Sequence, residues 1–401
     1  MTCQVYVDNV CANPNGKATP LSRTAFSPDL RVQAYFFVQF LSVGMINAFS
    51  GIWFDSFGLT PLQIGIIGAG PVLVPLLMTL FIGKLADRAN DWRDVIIIGG
   101  IASGLIPIGL FFVGGFWGVL IVWALLASAQ RVVLPVADAA GLRMSRRGGV
   151  DFGRLRGLST LGYLIVIMVA GFLLTDFGVG AFLPIFVALG LVRMVAAFGL
   201  PKMRDTTATA PRTAKLSSSL KPWFVLPLVA WAIIDSNHII LNSFQGLLWA
   251  KQGIPTQVIG LLIAWGALAE TAMFFAFRRV AKRFAPLTLL IGAAGFSIIR
   301  WVAMAQAPDV PWLIVLQAMH ALTYAMGFLA VTNFIADNTS EDVAAEAQSF
   351  MVTIELCMTA VALIVFGWLA GLYGAQAYYA AAVTALIGGG VVIVARRMLP
   401  A

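Results

Sequence analysis

Polar and apolar positions in this chain are distributed in blocks. Runs of about 20 apolar residues, long enough to cross a bilayer as a helix, recur from one end to the other with brief polar loops between them. Twelve such runs are predicted, at about 31–56, 61–86, 94–113, 116–140, 155–175, 179–200, 222–250, 256–277, 285–306, 311–336, 347–371 and 376–396. They are expected to be α-helices, because hydrocarbon offers no partner to a backbone group left outside a helix or a closed barrel. The strongest interruption is KMRDTTATAPRTAKLSSSLKP after the sixth run, a basic Ser/Thr/Pro-rich linker. It divides the chain into a polar tail (1–30), a first half (31–200), a central loop (201–221) and a second half (222–401).

The two halves carry related marks. Gly65 follows Pro61-x-Gln63, and Gly260 follows Pro255-x-Gln257; Arg88 and Arg283 close corresponding loops. Gly65 to Gly260 and Arg88 to Arg283 are both 195 residues. A duplicated plan of six plus six spans places a solute site between the halves at mid-membrane depth.

Composition narrows the class. The chain is 60% hydrophobic and 11% charged, against about 25% charged in soluble domains. A water-soluble protein of this apolarity would expose large greasy patches, so lipid is the expected solvent. The net charge of +8 would suggest nucleic acid in a soluble protein, but here the basic residues lie in loops between spans. With the N-terminus in the cytoplasm, the inner loops hold Lys84, Arg88, Arg93, Arg143, Arg146, Arg147, Arg154, Arg156, Lys202, Arg204, Arg212, Lys215, Lys221, Arg278, Arg279, Lys282 and Arg283. The outer loops hold only Lys251. Both termini are therefore expected inside a bacterial-type cytoplasmic membrane. The tail has no apolar stretch of the kind a cleaved signal peptide needs. Cys3, Cys11 and Cys357 show no metal-ligand spacing, and no disulfide, metal or cofactor is expected. A Walker pattern is missing, which argues against ATP-driven transport. The expected fold class is an all-α membrane protein of twelve transmembrane helices in two six-helix pseudo-repeats, monomeric, with lipid, a small solute and protons as partners and no nucleic acid.

Candidate chemistry comes from polar groups inside apolar runs. Glu270, Arg300 and His320 sit deep in the eighth, ninth and tenth spans. A charge in hydrocarbon costs on the order of 2.5–3.5 kcal/mol on the mildest scale, so such groups pair, or they face a pathway for protons or solute. Glu270 and Arg300 form either a permanent ion pair or a coupling site. Asp235 and His238, three apart, are placed on one face of the seventh span as a possible proton relay, with Asn242 on the same stripe; the alternative is a packing hydrogen bond. His320 shares a face with Gln317, Tyr324 and Gly327. Arg131 offers a cation for an anionic solute, or a partner for Asp138. Glu355 is a spare proton carrier, or the partner of a cation such as Arg193. Unpaired, the six groups Arg131, Arg193, Arg300, Asp235, Glu270 and Glu355 would cost on the order of 15–20 kcal/mol, so pairing is nearly forced. Tyr35, Phe36, Phe37, Phe40, Trp231 and Trp265 are candidates to stack a flat solute or to face lipid, and Gln39 and Asn47 to hydrogen-bond one.

Gly83-Lys84-Leu85-Ala86-Asp87-Arg88 resembles the loop signature between the second and third spans of the major facilitator superfamily. The resemblance implies that Gly83, Asp87 and Arg88 form a cytoplasmic gating loop that holds the halves together in one state. The copy around Arg278, Arg279, Lys282 and Arg283 keeps the charge without the Gly and Asp. Asp151-Phe-Gly153-Arg154-Leu-Arg156 with Ser159, Gly162 and Tyr163 resembles the phenylpropionate permease branch. So do Ile259-Gly260 with Gly266, Glu270 and Phe274, the pair Arg300-Trp301, and Gln317 with His320-Ala321-x-Thr323. The matches run from the second span to the eleventh. Ile263 stands where that branch has a tryptophan, and a second histidine near Phe328 is missing. In the related lactose permease group, residues at the places of Glu270, Arg300 and His320 bind solute and couple protons. The acid one turn after the histidine in that group is Thr323 here.

The expectation is a secondary active carrier, and not an enzyme, taking up an aromatic or other small organic acid with protons by alternating access. Asp235, His238, Glu270, Arg300, His320, Arg131 and Glu355 would bind solute or move protons. The alternatives on the same fold are a proton-driven efflux antiporter for drugs or metabolites and a symporter of a sugar or nucleoside. From other classes come a membrane-embedded enzyme or metal site built on Asp235, His238, Glu270 and His320, and a non-transporting sensor. Only two histidines and no HExxH pattern speak against the metal site.

Overall fold

The computed structural model describes residues 27–70, 72, 91–146, 152–202, 221–339 and 341–399. Their helices are α1 (Pro28–Ser56), α2 (Pro61–Gly70), α3 (Trp92–Leu105), α4 (Gly115–Arg146), α5 (Phe152–Phe177), α6 (Phe182–Phe198), α7 (Pro222–Ser236) and α8 (Ile239–Lys251). They continue with α9 (Thr256–Ala281), α10 (Pro286–Met304), α11 (Val310–Ala318), α12 (Met326–Asn338), α13 (Glu341–Tyr373) and α14 (Tyr378–Arg397). Nine stretches of the described residues are long and apolar enough to cross a bilayer. One of them, Ala347–Arg397, holds both α13 and α14, and two shorter apolar helices, Pro61–Gly70 and Gly115–Gln130, lie outside the nine. Together they account for twelve spans, the seventh made of α7 and α8 and the tenth of α11 and α12. The outer surface carries large apolar side chains such as Ile98, Phe112, Trp117 and Val195, as a lipid-facing wall requires. Of the nine stretches, those forming the first and seventh spans are the most enclosed, with 61% and 72% of their apolar windows buried.

Local chemistry sets the helix ends. Ser27 caps α1 by accepting from the Leu30 N–H, with Pro28 at the first helical position. Thr60 and Gln63 form a reciprocal capping box on α2: the Thr60 N–H donates to Gln63 Oε1 (2.9 Å) and the Gln63 N–H to Thr60 Oγ1 (3.3 Å). Gly58 and Gly253 turn the chain after α1 and α8 with φ of 76° and 82°, a region that favours glycine. These two glycines are 195 residues apart, the spacing already seen for Gly65 and Gly260.

Helices from the two sides of the central linker come close together towards the face where α1, α5 and α8 end and α2 and α9 begin. A methyl placed on Gly260 of α9 would lie 2.7 Å from the Ile167 carbonyl oxygen of α5, and one on Gly367 of α13 would lie 2.6 Å from that of Pro61. Gly65 of α2 is pressed against the Leu363 carbonyl of α13 in the same way. Gly51 and Gly246 bring α1 against α8, at 2.7 Å from Ser243 O and 2.5 Å from Ala48 O for a methyl at each. Asp55 and Lys251 form an ion pair at 2.9 Å, and the Gln257 N–H donates to Thr175 Oγ1 at 3.0 Å. These contacts join helices from opposite sides of the central linker. The face bearing Arg154, Arg156, Lys282 and Arg283 is the one towards which the interior opens.

Candidate functional site

A cavity of about 700 Å³ is bounded by α1, α5, α8, α9, the tenth span and His238. At its deep end lie Asn47, Tyr163, Asn242, Gln245, Glu270, Gln317 and His320. It extends to Gly153, Arg156 and Gly157 in the first turns of α5 and to Phe274 and Phe275 near the end of α9, so it reaches the basic face. At that mouth Arg156 pairs with Asp138 (3.2 Å), and its guanidinium carbon lies 5.4 Å from the centre of the Phe40 ring.

Behind the deep wall, Arg300 is fully buried and organises a chain of hydrogen bonds. Its Nη2 donates to Gln317 Oε1 (2.6 Å), and Gln317 Nε2 donates to Gln245 Oε1 (2.9 Å). Its Nη1 donates to Thr323 Oγ1 (3.0 Å) and to His320 Nδ1 (3.2 Å). A guanidinium has no acceptor, so His320 Nδ1 must present a lone pair. The proton of a neutral His320 is then on Nε2, which donates to Glu270 Oε2 at 3.3 Å. His238 is fixed by the same logic: Nδ1 donates to the Ile234 carbonyl (3.2 Å), which leaves Nε2 to accept the Thr323 hydroxyl proton at 3.0 Å. Every bond points away from Arg300, and two branches end in the cavity lining, at Glu270 and Gln245. A π-type turn at Ala321–Ala325 interrupts the tenth span just after His320, where such turns often mark function. It brings Thr323 to Arg300 and His238, while Tyr324 stacks on His320 with ring centres 5.1 Å apart.

A second cavity of about 380 Å³ lies on the other side of the α1–α8 contact, walled also by α2, α4, α6 and α13. Asn47 and Asn242 line both cavities. The polar groups of the second include Gln39, Gln130 and Arg193.

Some sequence expectations change. Glu270 and Arg300 do not form an ion pair; His320 stands between them. No side-chain hydrogen bond joins Asp235 and His238 among the described residues: the helix breaks between α7 and α8, and the His238 ring bonds the Ile234 carbonyl and Thr323. Asp235 instead lies within electrostatic reach of Glu355. Glu355 is not paired with Arg193: it accepts the indole N–H of Trp231 at 2.6 Å. Asp138 pairs with Arg156, and the side chain of Arg131 lies outside the described residues. Gly83, Asp87 and Arg88 also lie outside them. Of the proposed stacking aromatics only Phe40 lines the large cavity; Tyr35, Phe36 and Trp231 are core, and Trp265 is partly exposed with its N–H on the Ile314 carbonyl. Tyr163, Phe274, Phe275 and Tyr324 supply the rest of the aromatic lining. Gln245 is a further member, which one polar residue in an apolar run did not signal.

Residues 30–381 match the MFS_1 like family. The chain belongs to this family of major facilitator transporters. It is therefore an integral multi-pass membrane protein that moves a small solute, and not an enzyme. The transporter is 25% identical over 324 residues to the "Probable 3-phenylpropionic acid transporter" of Escherichia coli (strain K12), covering 77% of this chain and 82% of that one. It is 24% identical over 286 residues to the "Maltose permease" of Geobacillus stearothermophilus, covering 70% and 71%. Its fold matches the crystal structure of the nucleoside transporter NupG with a TM-score of 0.78 at 14% identity, over 93% of this chain and 100% of that one.

Proposed function

We propose that the transporter carries a small organic acid, of the aromatic class, into the cell together with protons. Two six-helix halves, 31–200 and 222–401, would rock about the α1–α8 and α2–α13 contacts to expose the site alternately to each side. With both termini in the cytoplasm, the open basic face is cytoplasmic and the arrangement described is the inward-open one. The observation that carries this reading is the directed chain from Arg300 through His320 to Glu270 at the deep end of the cavity. Protonating His320 would set an Nδ1–H against the Arg300 guanidinium. Glu270, which meets the cavity with no Lys or Arg in ion-pair contact among the described residues, would be the group that takes up and releases a proton. The basic mouth at Arg156 and the aromatic lining suit an aromatic anion, as does the name of the phenylpropionic acid relative.

Membrane vesicles with an imposed proton gradient test the reading. Labelled 3-phenylpropionate should accumulate when the outside is acidic, and a protonophore should collapse the accumulation. Glu270→Gln should abolish accumulation while leaving solute exchange at equilibrium. Undiminished accumulation in Glu270→Gln removes Glu270 from the mechanism. Accumulation only with the gradient reversed makes the protein an efflux antiporter. Uptake of sugars or nucleosides but not acids would replace the solute class.

A further inference from the structure

We propose that the second cavity holds the charged end of the solute: the Arg193 guanidinium binds the carboxylate of a small organic acid, with Gln130 as an additional donor. This rests on the organic-acid reading above and assigns the carboxylate to a residue other than Arg131 or Arg300.

The other described cations near the interior are engaged. Arg300 commits Nη1 to His320 and Thr323 and Nη2 to Gln317. Arg156 is paired with Asp138 and half-exposed. Arg193 differs from both. It is 2% exposed, it lines the second cavity, and its Nε and Nη2 have no hydrogen-bond partner among the described residues. Those two N–H groups form one edge of the guanidinium, the fork that matches the two oxygens of a carboxylate. Gln130 Nε2, on the same cavity, is also buried without a partner. The titratable group within electrostatic reach of Arg193 is the phenol of Tyr35, and no carboxylate forms a salt bridge with it among the described residues. A guanidinium left so in a membrane interior is costly unless something else completes it.

The cavity supplies the rest of an amphipathic pocket. Its volume of about 380 Å³ suits a small molecule, and Phe54 and Trp123 give it an apolar wall for the body of the acid. Asn47 and Asn242, shared with the large cavity, lie between the Arg193 pocket and the space in front of Glu270. An acid leaving Arg193 therefore enters the compartment that holds the proton carrier and opens to the basic face.

Binding of 3-phenylpropionate and of its uncharged amide to the purified full-length protein, measured by calorimetry, tests the assignment. Arg193→Gln should weaken acid binding by about tenfold or more and amide binding by less than about twofold, since a charge-assisted fork is lost for one ligand only. Arg193→Lys, which keeps the charge without the fork, should fall between. Unchanged acid affinity, or equal losses for acid and amide, overturns the assignment. Should Arg193→Gln fail to fold, Gln130→Leu should still cost the acid more than the amide, and equal or absent losses overturn the assignment there too. Arg193→Gln keeping acid binding, while Glu270→Gln still abolishes proton-driven accumulation, overturns the Arg193 assignment alone. A wild-type protein that binds sugars or nucleosides but no acid overturns both readings.

Discussion

Arg300 shows how one buried cation can determine the roles of its neighbours. A guanidinium only donates, so it fixes the lone pair of His320 Nδ1 and, through Thr323, the acceptor at His238 Nε2. His238 accepts from Thr323 only while Nε2 is unprotonated, so a proton there breaks that branch. His238→Ala should therefore broaden the acid side of the pH–rate profile, measured as initial uptake between about pH 5 and pH 8. An unchanged profile returns His238 to packing. The sequence marked Glu270, Arg300 and His320 as a group because each is costly in hydrocarbon. It could not show that His320 stands between the other two, because a side-chain partner on another helix leaves no trace in linear spacing.

Among the helices, small residues decide where the two sides of the linker meet. Gly260 of α9, which presses α5, and Gly65 of α2, which presses α13, are 195 residues apart, and the residues they press, Ile167 and Leu363, are 196 apart. The contacts exchange with each other under the spacing that relates the turn glycines Gly58 and Gly253. Gly178 and Gly374, at φ 77° and 56° after α5 and α13, repeat it again at 196. A side chain at Gly260 would separate α9 from α5 at the closed end. Gly260→Leu should disfavour the closed contact by about 1–3 kcal/mol, the usual cost of overpacking. That corresponds to roughly a 5- to 150-fold shift in population towards the outward-open form. Labelling of Thr160→Cys, which lines the open cavity, by an impermeant thiol reagent from the cytoplasmic side should slow accordingly; an unchanged rate would show that the contact does not control the equilibrium. The π-type turn after His320 is an element the apolar pattern concealed, since hydropathy reads the tenth span as one continuous helix.

On the scale of the whole molecule, these two cavities flank the α1–α8 contact, and the lining of the larger one extends to the basic face. Closing that face is the role expected of the loop at Gly83, Asp87 and Arg88. Asp87→Asn should then slow turnover by about tenfold while leaving solute affinity within about twofold, because an interaction made in one state of a cycle changes populations more than local contacts. Transport kinetics beside equilibrium binding measure the difference, and a loss confined to affinity would argue against a gating role.

The membrane class, the twelve-span plan and the family resemblance were legible in the sequence, because each depends on local quantities: the length of apolar runs, the placement of loop charge, and short motifs. So was the suspicion of Glu270, Arg300 and His320, since hydrocarbon makes any ionisable residue conspicuous wherever the chain folds. Pairing was decided only by tertiary structure. Glu355 went to Trp231, Asp138 to Arg156 and His238 to Thr323, while two buried N–H groups of Arg193, a residue lining the second cavity, have no hydrogen-bond partner among the described residues. Hydrogen bonds act over about 3 Å and depend on direction. Their partners are set by how helices distant in the chain are rotated against one another, and that rotation is fixed by the packing of all the helices together.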